Sequence, residues 1–173
     1  QLRVTPDNQQ VISSGNDRSV MRWDLATGEQ LARFPFPTMT ENVFGGLSQD
    51  GERVAVVSGL QADILNLWEL KTPSQTDRIT TPGPISGVVF NPDSSRLATV
   101  HQNNEIRIWD VQQRTELVKL QGHSQPILQL VFSPHGQRLA TTSEDQSIKI
   151  WDTTTGAEIF TLRSDDTIAR TSA

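Results

Sequence analysis

Cysteine is absent from the 173 residues of this chain, which removes disulfides, zinc ribbons, iron–sulfur ligation and thiol nucleophiles from consideration. Long apolar runs are missing too. No stretch approaches the length needed to span a bilayer, and Gln1-Leu2-Arg3-Val4 lacks the apolar stretch of a signal peptide. The chain therefore reads as soluble. It contains no Asn-x-Ser/Thr acceptor, so nothing hints at secretion, and the cytoplasm is the default expectation. Positive charge is in deficit: 15 Lys and Arg stand against 20 Asp and Glu, a net charge of −5. Such a balance repels a phosphate backbone, so nucleic acid is not expected as a partner. An initiating methionine is also missing, and the first residues already look like the middle of a strand.

What is present is periodic. The four tryptophans, Trp23, Trp68, Trp109 and Trp151, follow one another at 45, 41 and 42 residues, and each precedes an acid: Asp24, Glu69, Asp110 and Asp152. Read back from three of them, one phrase recurs: Asp17 to Asp24, Asn103 to Asp110 and Asp145 to Asp152. In the last, Ile148 and Ile150 lie on one side and Lys149 and Trp151 on the other, the period-2 pattern of a strand. Upstream, Ser133-Pro134-His135-Gly136 is echoed by Asn91-Pro92-Asp93-Ser94, Ser48-Gln49-Asp50-Gly51 and Thr5-Pro6-Asp7-Asn8, residue types that build tight turns. Apolar runs precede these turns at Ile127 to Phe132 and Ile85 to Phe90. Thr27-Gly28 and Thr155-Gly156 mark another turn, before a last strand such as Glu158 to Leu162. Each period holds four short antiparallel strands. No segment sustains an apolar 3.6-residue period, so helical folds are excluded.

Four strands in about 40 to 45 residues, with Gly-His early and Trp-Asp late, resemble the blade of a WD-repeat β-propeller. The resemblance covers nearly the whole chain and implies an all-β fold of four WD-type blades, as repeats 1–36, 37–78, 79–120 and 121–163, with 164–173 entering the next blade. Because the chain starts and stops at almost the same phase of the repeat, it reads as part of a larger ring of about seven blades. If complete, it would be an open arc able to self-associate.

The resemblance also implies a buried hydrogen-bond network of His, Ser or Thr, Asp and Trp. The fourth repeat has the full set, His123, Thr141, Asp145 and Trp151. The first keeps Ser13, Asp17 and Trp23. The third has Thr99 and Trp109, with Asn103 in place of the Asp and Thr81 in place of the His. The second has Trp68, with Thr38 at the His position, Val56 on its second strand and two extra residues around Leu60 to Ala62. These three incomplete blades are expected to be held mainly by apolar packing, with the second the most irregular.

His123, Asp145 and Ser143 or Thr141 could suggest a hydrolytic triad, but the blade network explains them and no oxyanion-hole glycine cluster accompanies them. His101 and His135 have no second His or Cys at ligand spacing, so no metal is expected. Asp165-Asp166 reads as a solvated loop. Gly45-Gly46 lacks the lysine of a phosphate-binding loop, and no cofactor is implied. In a propeller, one rim is formed by the loops between second and third strands and between blades. Here those loops carry Asn16 and Arg18, Gln61 and Ala62, Gln102 and Asn104, Glu144 and Gln146, with Ser124 and Gln125. This polar rim suits protein or peptide recognition. The functional expectation is a non-catalytic protein-interaction scaffold. The alternatives are a structural or sensor module contacting other domains of a larger signalling protein and, last, an enzymatic propeller.

Overall fold

The computed structural model describes residues 2–14, 19–35, 45–58, 61–70 and 76–163. These form sixteen strands in four sheets, and among the described residues there is no helix. The first sheet contains β1 (Leu2–Val4), β2 (Gln10–Ser14), β3 (Ser19–Asp24) and β4 (Gln30–Pro35). The second contains β5 (Gly45–Leu47), β6 (Arg53–Ser58), β7 (Ile64–Glu69) and β8 (Thr76–Thr80). The third contains β9 (Ile85–Phe90), β10 (Arg96–His101), β11 (Ile106–Asp110) and β12 (Glu116–Leu120), and the fourth β13 (Ile127–Phe132), β14 (Arg138–Ser143), β15 (Ser147–Asp152) and β16 (Glu158–Arg163). All pairs are antiparallel neighbours in sequence. The second sheet extends to Thr80, two residues past the expected repeat end at 78.

The sequence repeat becomes a repeat of register. Each tryptophan faces an apolar residue across the central strand pair: Val11 with Trp23, Val54 with Trp68, Leu97 with Trp109 and Leu139 with Trp151. In the first, third and fourth sheets the ladder to the last strand shifts at the tryptophan. In the second it runs through without a shift. A bulge there gives three sheets a local twist that the second does without.

The core lies between sheets. One cluster joins Ile12 and Val20 to Leu47, Val54, Val56 and Trp68. A second joins Val57, Leu65 and Leu67 to Phe90, Leu97 and Trp109, and a third joins Val100, Ile106 and Ile108 to Phe132, Leu139 and Trp151. The second and third sheets thus present one side to the preceding sheet and the other to the following one, and each of Trp68, Trp109 and Trp151 covers the sheet before it. Strand β9 touches both β5 and β13, which places the first strands of the last three sheets side by side on the inner side of the arc. Among the described residues no buried cluster joins the first sheet to the fourth, so the four blades form an open arc.

Turn chemistry and packing meet at Gly156, between β15 and β16. Its φ is 75°, and an added Cβ would lie 2.5 Å from Val118 Cγ2 in the neighbouring sheet. Gly28 holds the same turn in the first sheet with φ 71° and nothing within 4 Å. Gly28→Ala should therefore cost about 1 kcal/mol of left-handed strain, whereas Gly156→Ala adds overpacking and should cost about 2–4 kcal/mol. Denaturant midpoints of the two variants check this, and equal losses would show that the contact with Val118 carries no weight.

Candidate functional site

In the fourth sheet a chain of polar side chains runs inward from the loop before β13. His123 Nδ1–H donates to Asp145 Oδ2 (2.8 Å), and Nε2 lies 2.7 Å from Thr141 Oγ1. Trp151 Nε1–H donates to the same hydroxyl oxygen (2.9 Å). Asp145 also accepts from Ser147 Oγ (2.5 Å) and from the backbone N–H groups of Ser124 (3.1 Å) and Ser147 (3.0 Å). Burial by itself raises the proton affinity of this carboxyl, but the hydrogen bonds from Ser147, His123 and Ser124 outweigh it and hold Asp145 well below the usual carboxylate range. Thr141 is fully buried. Ser143 Oγ is committed to the Gln125 carbonyl (2.9 Å). The resemblance to a triad therefore ends at composition, because neither hydroxyl faces a site that substrate could reach.

The other sheets differ. In the first, Trp23 Nε1–H donates to Ser13 Oγ (2.9 Å), and Asp17 lies outside the described residues. In the second, Val56 offers no hydroxyl. Trp68 is buried in the apolar cluster against the first sheet, and Asn66 Nδ2 donates to Ser58 Oγ (2.6 Å). Thr38 and Leu60 lie outside the described residues.

The third sheet adds to the sequence reading. Beside its apolar packing, a histidine from a different place reaches the Thr–Trp pair. Trp109 Nε1–H donates to Thr99 Oγ1 (2.9 Å), and His101 Nε2 lies 3.0 Å from that oxygen. His101 Nδ1 lies 3.2 Å from the Gly83 carbonyl. Thr81, at the ordinary histidine position, instead bonds the carbonyls of Asp63 and Gly83. Sequence reasoning missed His101 because it looked for the histidine in the loop before the blade. Its signal was there: Thr99 and His101 are two residues apart on β10 and share a face. Beside it Glu105, which is buried, binds Arg107 (3.0 Å), Asn103 Nδ2 (2.8 Å), Gln121 Nε2 (2.7 Å) and Lys119. His135 is exposed in its turn.

The rim is the second candidate. The turns after β6, β10 and β14 and the loops before β9 and β13 come together at one end of the sheets. Hydrogen bonds fasten them: Ile85 N–H to the Ala62 carbonyl (2.9 Å), Gln102 N–H to Pro84 (3.3 Å) and Glu144 N–H to Pro126 (3.0 Å). Gln61, Gln102, Ser124, Gln125, Glu144 and Gln146 are exposed there, Asn104 and Ala62 are half-buried, and Asn16 and Arg18 lie outside the described residues. Ala62, Asn104 and Gln146 turn the chain at φ 53°, 62° and 63°. The opposite end differs in kind. There Asp7, Asp50 and Asp93 accept the backbone N–H two residues on, and Asp24, Asp110 and Asp152 accept N–H groups of the turns they begin. Those carboxylates are used by their own turns, whereas the side-chain amides of Gln61, Gln102, Gln125 and Gln146 make no hydrogen bond among the described residues.

A cavity of about 570 Å³ runs along β5, β9 and β13, lined by Val88, Leu130, Val131, Ala140 and Thr142 among others. Its wall at Ala140 and Thr142 is the counterpart of Ala98 and Val100, the side of the third sheet that the fourth covers. The cavity belongs to sheet packing and carries no convergent polar groups of a ligand pocket. Among the described residues no three His, Asp or Glu side chains gather as a metal site would require, and no helix is long and apolar enough to cross a membrane.

The family model "WD domain, G-beta repeat" matches residues 74–110 and 114–152. Over 127 residues the chain is 26% identical to Autophagy-related protein 16 of Arabidopsis thaliana, covering 73% of this chain and 24% of that protein. It is 28% identical over 138 residues to guanine nucleotide-binding protein subunit beta-1 of Nicotiana tabacum, covering 71% and 33%. A third relative is eukaryotic translation initiation factor 3 subunit I of Nematostella vectensis, 25% identical over 133 residues, covering 73% and 40%. The chain thus spans at most two fifths of the length of each of these three relatives. With four sheets in a shared register, Trp-to-hydroxyl bonds in three of them and the family model matched across two repeats, the chain carries WD-type repeats at residues 74–110 and 114–152.

Proposed function

We propose that the chain is a non-catalytic surface for binding other proteins or peptides, and that the recognised segment lies on the rim of Gln61, Gln102, Gln125 and Gln146. One observation carries this reading: these exposed amides come from different loops, sit on one rim and have no intramolecular partner among the described residues. A side-chain amide offers two donors and an acceptor, which suits an extended peptide backbone. The loops beneath are fixed by backbone hydrogen bonds, so little ordering cost accompanies binding. The relatives are named as parts of diverse systems, which supports interaction in general and no one partner. The net charge of −5 disfavours nucleic acid as the occupant of this rim.

Selection of peptides from a displayed library by the full chain tests the proposal. Binders should lose about tenfold in affinity, roughly 1.4 kcal/mol, when Gln102 and Gln146 are both changed to Ala. They should be unaffected by Gln112→Ala, an exposed residue at the opposite end. Binders insensitive to the rim pair but lost with Gln112→Ala would move the site to the other face.

A further inference from the structure

We propose that His101 makes the third sheet an acid-sensitive latch under the rim, closed while its imidazole is neutral and opened when the ring takes up a second proton. The ring is 4% exposed and has one partner at each nitrogen. The Gly83 carbonyl can only accept, so Nδ1 carries the proton. Nε2 then accepts the Thr99 hydroxyl, whose oxygen receives the Trp109 N–H. One N–H and one lone pair are what a neutral imidazole provides. A proton on Nε2 would meet a hydroxyl already donating to it, which would have to turn to the Arg107 carbonyl at 3.4 Å.

The charge is the larger difficulty. Arg107 on β11 repels it. Glu105 and Glu116 attract it, but both are already bound to Arg107, at 3.0 and 2.5 Å, and Glu105 also holds Lys119 and Gln121. The loop over the ring, Thr81 to Pro84, and the adjoining Ile85 and Gly87 of β9 hold no ionisable group. In the fourth sheet the corresponding histidine faces the Asp145 carboxylate, whereas His101 has only a carbonyl dipole. Burial accordingly dominates and lowers the His101 pKa from its ordinary value of 6.5, against the opposing Gly83 hydrogen bond.

The sign follows by linkage. Below about pH 6.5 the unfolded or opened segment takes up a proton that the closed site refuses, so the closed form loses stability as pH falls from there toward the lowered value. Opening releases Gly83 and Thr99 together. The neighbouring residue Gln102 is tied to Pro84 of the same loop, so the rim loosens with the latch. The effect on binding rests on the proposed rim function, while the opening itself does not.

The test is NMR on the full chain, following the three imidazoles and the indole N–H groups of Trp109 and Trp151 from about pH 7.5 to 5.5. His101 should titrate below the ordinary histidine value. Trp109 protection, corrected for intrinsic exchange, should fall by up to about tenfold per pH unit, the limit for one proton, while Trp151 protection holds. In a His101→Gln chain the Trp109 decline should vanish. The ring titration, read in the unaltered chain, stands even if that variant fails to fold. Titration of His101 at or above the ordinary value, equal losses at Trp109 and Trp151, or an unchanged decline in His101→Gln would each overturn the latch. Peptide affinity that stays constant while Trp109 opens would instead count against the rim reading alone.

Discussion

Replacing Trp151 by alanine should cost about 3–5 kcal/mol of folding stability, the usual loss for emptying a large aromatic site in a packed core. The indole is 1% exposed and packs with Leu139 and Phe132 against Ile106, Ile108 and Leu120 of the preceding sheet, so its removal opens a cavity between blades. A second loss adds to the first. Thr141 would lose the N–H it accepts, loosening the hydroxyl that His123 contacts. Trp151→Phe separates the two effects: the ring fills most of the volume, so the remaining loss, about 1–3 kcal/mol, belongs to the missing hydrogen bond and the residual void. Denaturant unfolding of both variants at one protein concentration measures this. Equal losses for Phe and Ala would mean that packing at this interface matters less than the polar chain.

Glu105→Ala should also be damaging, about 2–4 kcal/mol, because it takes a buried charged acceptor from Arg107, Asn103 and Gln121 at once, while Arg107 keeps Glu116 and the half-exposed Lys119 turns to water. Its carboxylate side chain is 5% exposed and joins Arg107, Lys119, Asn103 and Gln121, three of which reach it from β11 or β12 and the loop beyond. Burial pulls its pKa upward, yet the bonds from Lys119, Asn103 and Arg107 outweigh that and bring it down to about 2. A carboxyl depressed in the folded state contributes stability above its unfolded pKa, and that contribution is lost as pH falls through the folded value. The gap in stability between the unaltered chain and Glu105→Ala should therefore be full at pH 7. It should narrow as pH falls from about 4.3 toward 2. A gap that does not change with pH over this range would show that Glu105 acts by shape and not by charge.

Both predictions concern residues of different legibility. Trp151 was marked by its recurrence, and a strand's period of two was enough to place it on one side with Lys149, away from Ile148 and Ile150. Glu105 had no such mark, because it occupies the place taken by Ser147 in the fourth repeat and Ser19 in the first, and repetition directs attention to what stays the same. His101 was hidden for the related reason that the third sheet fills the histidine's space from β10 and not from the preceding loop. Aligned columns record which residue stands where in the repeat. They do not record which neighbouring backbone can deliver an equivalent group to the same point in space.

The sequence by itself determined the strands, their antiparallel order, the recurrence of the tryptophans and the turns, because each depends on contacts within about 40 residues and on the backbone preferences of Gly, Pro and Asp. Only the tertiary structure decided which sides are covered. Ile106 and Leu120 are buried at 1% and 0%, while their counterparts Ile148 and Leu162 are exposed at 40% and 51%. The amino acids are the same. What differs is that a following sheet packs on the third blade and, among the described residues, none packs on the fourth. Lys149, by contrast, is buried beside Trp151, because Glu158 and Thr161 on the adjacent strand take its ammonium at 2.8 Å. Burial is a property of what arrives from elsewhere in the chain, and a local pattern cannot contain it.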